Sequence, residues 1–144
     1  MLSNIVTYRG TVYPWHCDHV GHMNVMWFVG KFDEATWQLF NQLGLTPSFL
    51  RKAERGMAAV EQQISYLREL HAGDVITVHS TIIELASKRI RFEHRMRNDE
   101  TGESVAITIL TAVHLDTGTR KSSPFPAFVA ERAAAVLPQE TPNV

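Results

Sequence analysis

From Asn24 to Leu43 the residues Val25, Phe28, Val29, Phe32, Ala35, Thr36, Leu39, Phe40 and Leu43 recur at intervals of three and four, the spacing of one face of an α-helix. The stretch corresponds to about five turns. Gly44 is expected to stop this helix and Pro47 to prevent its resumption, while Gly21 to Asn24 supplies a turn and a polar cap at its start. Met26 and Trp37 widen the apolar stripe, so the helix should be wrapped by other structure and not merely laid on a surface.

Beyond a polar link containing Arg51, Lys52, Glu54 and Arg55, the apolar period shortens to two. Val60 to Tyr66, Ile76 to Ile82, Ile90 to Met96 and Val105 to Val113 read as strands. The third opposes Ile90, Phe92, His94 and Met96 to Arg89, Arg91, Glu93, Arg95 and Arg97, one apolar face and one charged. Asn98 to Gly102 makes it a hairpin with the strand that follows. Ile5 to Tyr13 is β-rich and should join the same sheet. Residues 126–144 form a proline-broken tail with one short helical segment, Ala127 to Val136. A single domain over residues 1–144 is expected, of the α+β class, with an antiparallel sheet curved about the helix.

The charge balance excludes several partners. Fourteen basic against fifteen acidic residues give a net charge of -1, which offers no field for nucleic acid or an anionic membrane. No apolar run approaches the ~18 residues of a membrane span, and the first ten residues lack a signal-peptide pattern. The single cysteine, Cys17, excludes an internal disulfide and suits a reducing compartment, so a cytoplasmic protein is expected.

Reactive side chains concentrate in Tyr13-Pro14-Trp15-His16-Cys17-Asp18-His19-Val20-Gly21-His22-Met23-Asn24, between the first strand and the helix. The first amides of a helix lack intrahelical acceptors and carry partial positive charge, so they can stabilise an oxyanion forming on a substrate carbonyl. A carboxylate just upstream can attack that carbonyl or activate a water. Asp18 is the only acid between Met1 and Asp33, which makes it the catalytic candidate.

Asp18, Gly21, His22 and Asn24, with Phe32-Asp33-Glu34-Ala35 in the helix and Ala72-Gly73-Asp74 between strands, resemble the signature of the 4-hydroxybenzoyl-CoA thioesterase family of hotdog proteins. The resemblance spans roughly residues 5 to 120. It implies a hotdog domain, five or six antiparallel strands wrapped on one helix, that hydrolyses an acyl-CoA thioester. In that reading Asp18 is nucleophile or general base, backbone amides from Met23 to Val25 hold the oxyanion, and His22 and Asn24 shape the turn. Trp15, His16, His19, Gly21, Met23 and Trp27 surround the substrate, and Lys88, Arg89 and Arg91 are candidates for the CoA phosphates. The resemblance implies no cofactor and no metal. Two departures stand out: His16 occupies a position where the family often has an acid, and Phe28 replaces a frequent aromatic hydroxyl.

Other readings of the same residues compete. His16, Cys17, Asp18, His19 and His22 are all metal-ligand types, but neighbours on an extended chain point to opposite sides. Cys17 would need a lowered thiol pKa to serve as nucleophile. His22 is a turn residue or a general acid, and Asp33 or Glu34 is a surface acid or faces a partner subunit's site. Trp15, Trp27 and Trp37 are expected to pack the core and a dimer interface, or to line an acyl pocket suited to an aromatic, short-chain or betainyl group. A half-wrapped helix and an open sheet edge call for a homodimer or homotetramer. The rival functions are a non-catalytic acyl-CoA-binding module and a hotdog dehydratase or hydratase.

Overall fold

The computed structural model describes residues 4–135. Strand β1 (Ile5–Thr11) leads through a 3-10 turn (Pro14–His16) to helix α1 (Val25–Gln42) and a short helix α2 (Pro47–Ala53). Strands β2 (Arg55–Tyr66), β3 (Val75–Leu85), β4 (Arg89–Asn98) and β5 (Ser104–Asp116) follow, then helix α3 (Ala127–Ala133). All five strands form one antiparallel sheet in the order β1-β3-β4-β5-β2, which makes β1 and β2 its edges. No helix among the described residues is long and apolar enough to cross a membrane.

Helix α1 begins and ends where its sequence punctuates it. The Asn24 side chain accepts the Met26 N–H at 2.9 Å. At the other end Gly44 takes φ +84°, and the next amide, Leu45 N–H, closes on Phe40 O at 2.9 Å. The expectation that Pro47 prevents any further helix is overturned. Pro47 opens α2, because its missing N–H costs nothing in a first turn, and Thr46 Oγ1 caps that turn by accepting Phe49 N–H at 3.2 Å. The residues expected to form a polar link therefore divide between α2 and the start of β2. The tail helix spans Ala127–Ala133, and Val136 lies outside the described residues.

Along β4 the expected alternation holds: Ile90, Phe92, His94 and Met96 are buried while Arg89, Arg91, Arg95 and Arg97 are exposed. Two apolar clusters fill the space between sheet and helix. One gathers Phe28, Phe32 and Ala35 of α1 with Val12, Ile76, Val78 and Met96; the other gathers Leu39, Phe40 and Leu43 with Ile82, Ile90 and Phe92. Each fully buried side chain of this size contributes about 1.5–3 kcal/mol. Polar residues occupy the level where the clusters meet. Thr36 Oγ1 donates to Phe32 O at 3.0 Å, so it accepts from His94 Nε2 at 2.8 Å. That leaves His94 Nδ1 to accept from Ser80 Oγ at 2.5 Å, and Ser80 to accept from Thr7 Oγ1 at 2.7 Å. The chain of hydrogen bonds ties β1, β3 and β4 to α1 and leaves no lone pair of the buried ring without a partner.

Candidate active site

The loop before α1 is folded by its own backbone. Asp18 N–H donates to His22 O at 3.1 Å, Gly21 N–H returns to Asp18 O at 3.1 Å, and Gly21 takes the φ of +98° that this tight turn requires. Met23 N–H anchors the loop to Leu70 O at 2.7 Å, and Asn24 N–H reaches back to His16 O at 2.9 Å. The Asp18 carboxylate is thereby fixed against α1. Its Oδ1 accepts Val20 N–H at 2.9 Å and its Oδ2 accepts the Asn24 side-chain amide at 3.1 Å. These two donors, Val20 first, hold the carboxyl below its ordinary pKa, so Asp18 is an anion at neutral pH.

The backbone hydrogen bonds narrow the choice of oxyanion donor. Met23 and Asn24 amides, expected to be available, are already bonded to Leu70 O and His16 O. Met26 N–H is taken by the Asn24 cap. Val25 N–H, which opens α1, makes no hydrogen bond among the described residues and is the free donor at this end of the helix.

Two cavities flank α1. On one side Met26, Val29, Asp33 and Thr36 face Ala59 and Gln62 of β2 and Leu110 of β5 across about 360 Å³. A smaller space of about 70 Å³ continues this groove past Thr36 to Phe40 and Met57. On the other flank a cavity of about 590 Å³ lies between β1 and α1, lined by Tyr8, Gly10, Tyr13, Trp15, His16, Trp27, Lys31 and Glu34 among others.

The structure thus separates residues that the sequence grouped. Asp18, Asn24, His22 and Val25 share the helix-start loop, with Gly21 in its turn and His19 exposed beside it. Met23 is buried in the core and its side chain faces away from solvent. Trp15, His16 and Trp27 belong to the large cavity instead. Trp15 does not pack the core as expected: it is 66% exposed and stacks on Tyr13 with ring centroids 4.6 Å apart. Lys88, Arg89 and Arg91 sit where β3 turns into β4, beside the core cluster of Leu39 and Leu43, and hence at the opposite end of α1 from Asp18. Arg89 there pairs with Glu84 at 3.2 Å. His22, Glu69 and His71 present ligand atoms within 4.8 Å of one another and could hold a divalent ion; His22 Nε2 lies 3.1 Å from Glu69 Oε2. Sequence reasoning missed this group because Glu69 and His71 come from the β2–β3 loop. It also missed Tyr8 and Lys31. Their one signal was a lysine one turn beyond Trp27, on the margin of the apolar stripe.

The model of the thioesterase-like superfamily matches residues 12–133, which include the Asp18 loop, α1 and all of β2 to β5. The chain belongs to that superfamily. Among similar proteins is the betainyl-CoA thioesterase of Pseudomonas aeruginosa, 23% identical over 136 residues that cover 94% of this chain and 86% of the relative. The L-carnitine dehydrogenase/betainyl-CoA thioesterase of Agrobacterium fabrum is 30% identical over 109 residues, 76% of this chain; the match spans only 22% of that larger protein. A Staphylococcus aureus protein solved in complex with CoA superposes with a TM-score of 0.88 at 22% identity, covering 98% of this chain and 90% of that one. A 1,4-dihydroxy-2-naphthoyl-CoA thioesterase from Synechocystis superposes at 0.81 with 19% identity, covering 91% and 96%. These superpositions show that the antiparallel sheet wrapped on α1 is the hotdog fold.

Proposed function

We propose that the protein hydrolyses a small or medium acyl-CoA thioester, with Asp18 as the reacting carboxylate. The observation that carries this reading is the pairing of an ionised Asp18 with the free Val25 N–H at the start of α1. In the general-base route Asp18 takes a proton from water as the water oxygen bonds to the acyl carbon. Negative charge moves to the carbonyl oxygen, where Val25 N–H and the helix dipole stabilise it. The intermediate collapses, the C–S bond breaks, and the CoA thiolate leaves and takes up the proton that Asp18 holds. In the nucleophilic route an Asp18 oxygen bonds to the acyl carbon first as the C–S bond breaks and the CoA thiolate leaves. Water then cleaves the mixed anhydride, releasing the acid, regenerating the Asp18 carboxylate and giving up a proton that the thiolate takes up.

The groove between α1 and β2 suits the acyl group. It is largely apolar, begins at Met26 in the first turn of α1, and holds one carboxylate, Asp33, which favours an acyl group bearing a cationic or hydroxyl end. The named activity of the Pseudomonas aeruginosa relative supports a betainyl group among the candidates. The open edge of β2 and the exposed Val60, Met26 and Trp37 beside it support a homodimer, alone or paired into a tetramer, joined along that edge. An antiparallel pairing of edges would bring Lys88, Arg89 and Arg91 of a second copy towards the Asp18 end of the first. The single free cysteine supports a cytoplasmic setting.

The test is thiol release from a panel of acetyl-, betainyl-, benzoyl-, branched and long-chain CoA esters, with wild type and Asp18→Asn. At least one ester should be turned over, and the variant should lose about 10²–10⁴-fold in kcat. Hydrolysis at an unchanged rate by a folded Asp18→Asn would refute the assignment. Stabilisation by several esters without release of thiol from any would identify a binding module instead.

A further inference from the structure

Lys31 is 3% exposed, and its one hydrogen bond is to the Tyr8 hydroxyl, 3.0 Å from Nζ. Among the described residues no carboxylate lies within 4.0 Å of it; the ion pairs formed are those of His22, Arg55, Arg68, Arg89 and Arg95. A buried ammonium held by a single neutral partner is costly unless an anion joins it, and two of its three donors remain to be satisfied. Tyr8 accepts from Lys31, so its own O–H is free to donate to the same anion. Gly10, two residues along β1, makes this geometry available: a Cβ there would stand 2.6 Å from Tyr8 Oη.

The remainder of the cavity has the opposite character. Stacked Tyr13 and Trp15, and Trp27 packed 4.4 Å from His16, present aromatic rings. Glu34 lies one helical turn beyond Lys31, exposed, and lines the same space without pairing with it. Aromatic faces together with a carboxylate attract a cation, whereas Lys31 and Tyr8 attract a carboxylate. Neither a plain anion nor a plain cation satisfies both ends of the cavity.

We propose that the cavity between β1 and α1 is a binding site for a small zwitterionic carboxylate, its anionic end on Lys31 and Tyr8 and its ammonium end against Trp15, Trp27 and Glu34. The site does not require the thioesterase reading. It contains neither Asp18 nor Val25, and of the acyl groove's lining it shares only Gly30. Its ligand is a free acid, which has no thioester to cleave.

Tryptophan fluorescence titration and calorimetry on the full chain test it, with glycine betaine and 4-aminobutyrate as zwitterions, and acetate and tetramethylammonium as their separated halves. At least one zwitterion is expected to bind saturably, with each half at least tenfold weaker. Lys31→Met should weaken binding at least tenfold and Glu34→Gln several-fold, while Asp18→Asn binds as wild type does. If Lys31→Met fails to fold by circular dichroism, Tyr8→Phe, which keeps the ring and removes only the hydroxyl, should weaken binding at least threefold. Absence of saturable binding by both zwitterions, affinity unmoved by these substitutions, or a half binding as tightly as its zwitterion would overturn the proposal.

Discussion

The Asn24 side chain joins the Asp18 carboxylate to the first turn of α1: Nδ2 donates to Asp18 Oδ2 at 3.1 Å while Oδ1 accepts Met26 N–H at 2.9 Å. One residue therefore caps the helix and restrains the proposed catalytic acid. Asn24→Ala removes both contacts and should cost about 1 kcal/mol of stability through the lost cap. Its larger effect should fall on activity, with kcat reduced at least tenfold as Asp18 loses its restraint. The pH profile separates the two effects. Asp18 is held low by Val20 and Asn24, so kcat/KM should stay level into mild acid and fall only as the carboxylate takes up its proton. Losing a donor to the anion raises that pKa, and the acid limb should move to higher pH in Asn24→Ala. Asn24→Asp keeps the cap acceptor but sets a second negative charge beside Asp18, and should move the limb further. An acid limb at the same pH in all three proteins would show that Asp18 is not the titrating group.

His94 gives the fold a separate dependence on pH. Burial lowers its pKa from 6.5 to about 3, so the folded ring stays neutral through mild acid while the unfolded chain takes up a proton below pH 6.5. The folded pKa is depressed for a group that is charged when protonated. Its contribution is therefore intact above about 6.5 and is lost progressively as pH falls towards 3. Each unit in that window costs about 1.4 kcal/mol for the one proton involved. Thermal denaturation of wild type should show Tm falling from pH 6.5 to 4. In His94→Gln the slope should shrink by about one proton, at a cost of about 1–3 kcal/mol at neutral pH from the broken hydrogen bonds. Equal slopes in the two proteins would exclude His94 as the source.

What the sequence disclosed depended on whether a residue acts through its neighbours in the chain or through distant ones. Helix α1 and the alternation in β4 were legible because their spacing is local and the core follows it. So was the Asp18 loop, whose partners Val20, His22 and Asn24 lie within six residues. His94 read only as an apolar-face position: its partners Thr36 and Ser80, and Thr7 behind Ser80, come from three other elements. Lys31 was invisible as a site for the same reason, since Tyr8 lies 23 residues away on an edge strand. Trp15 does not join the core, although a large indole is normally buried; here Tyr13 covers one of its faces and the ring lines a cavity.

Asp33 is the one carboxylate in a groove walled besides by Met26, Val29, Gly30, Thr36, Ala59, Gln62 and Leu110. If the acyl chain lies there, the charge selects among substrates and takes no part in bond breaking. Asp33→Asn keeps the volume and removes the charge. It should lower kcat/KM for betainyl-CoA at least tenfold, a loss of about 1.4 kcal/mol or more, and leave acetyl-CoA within about threefold. Measuring both esters on one preparation controls for folding. An equal loss on both would assign Asp33 to structure.

Strand β2 is bonded to β5 on one side and has no strand on the other among the described residues. Val60, at the irregularity between Ala59 and Glu61, is 61% exposed there, with Met26 at 64% and Trp37 at 41% on the adjoining helix. An edge of this kind is a template for a second copy, and apolar residues along it lose water contact only when one is present. Val60→Lys adds a charge at a position that is already solvated in the single chain, so its effect on the fold should stay within about 0.5 kcal/mol. Across a two-fold axis the same lysine would appear on both copies and repel itself. Light scattering coupled to gel filtration should therefore give wild type a multiple of 16.3 kDa and the variant the single-chain mass at micromolar concentration. Thiol release should fall with the loss of assembly, because the groove beside β2 would be left open to water. A variant that keeps the wild-type mass would place the interface elsewhere, and a wild type that elutes as a single chain would mean that each copy works alone.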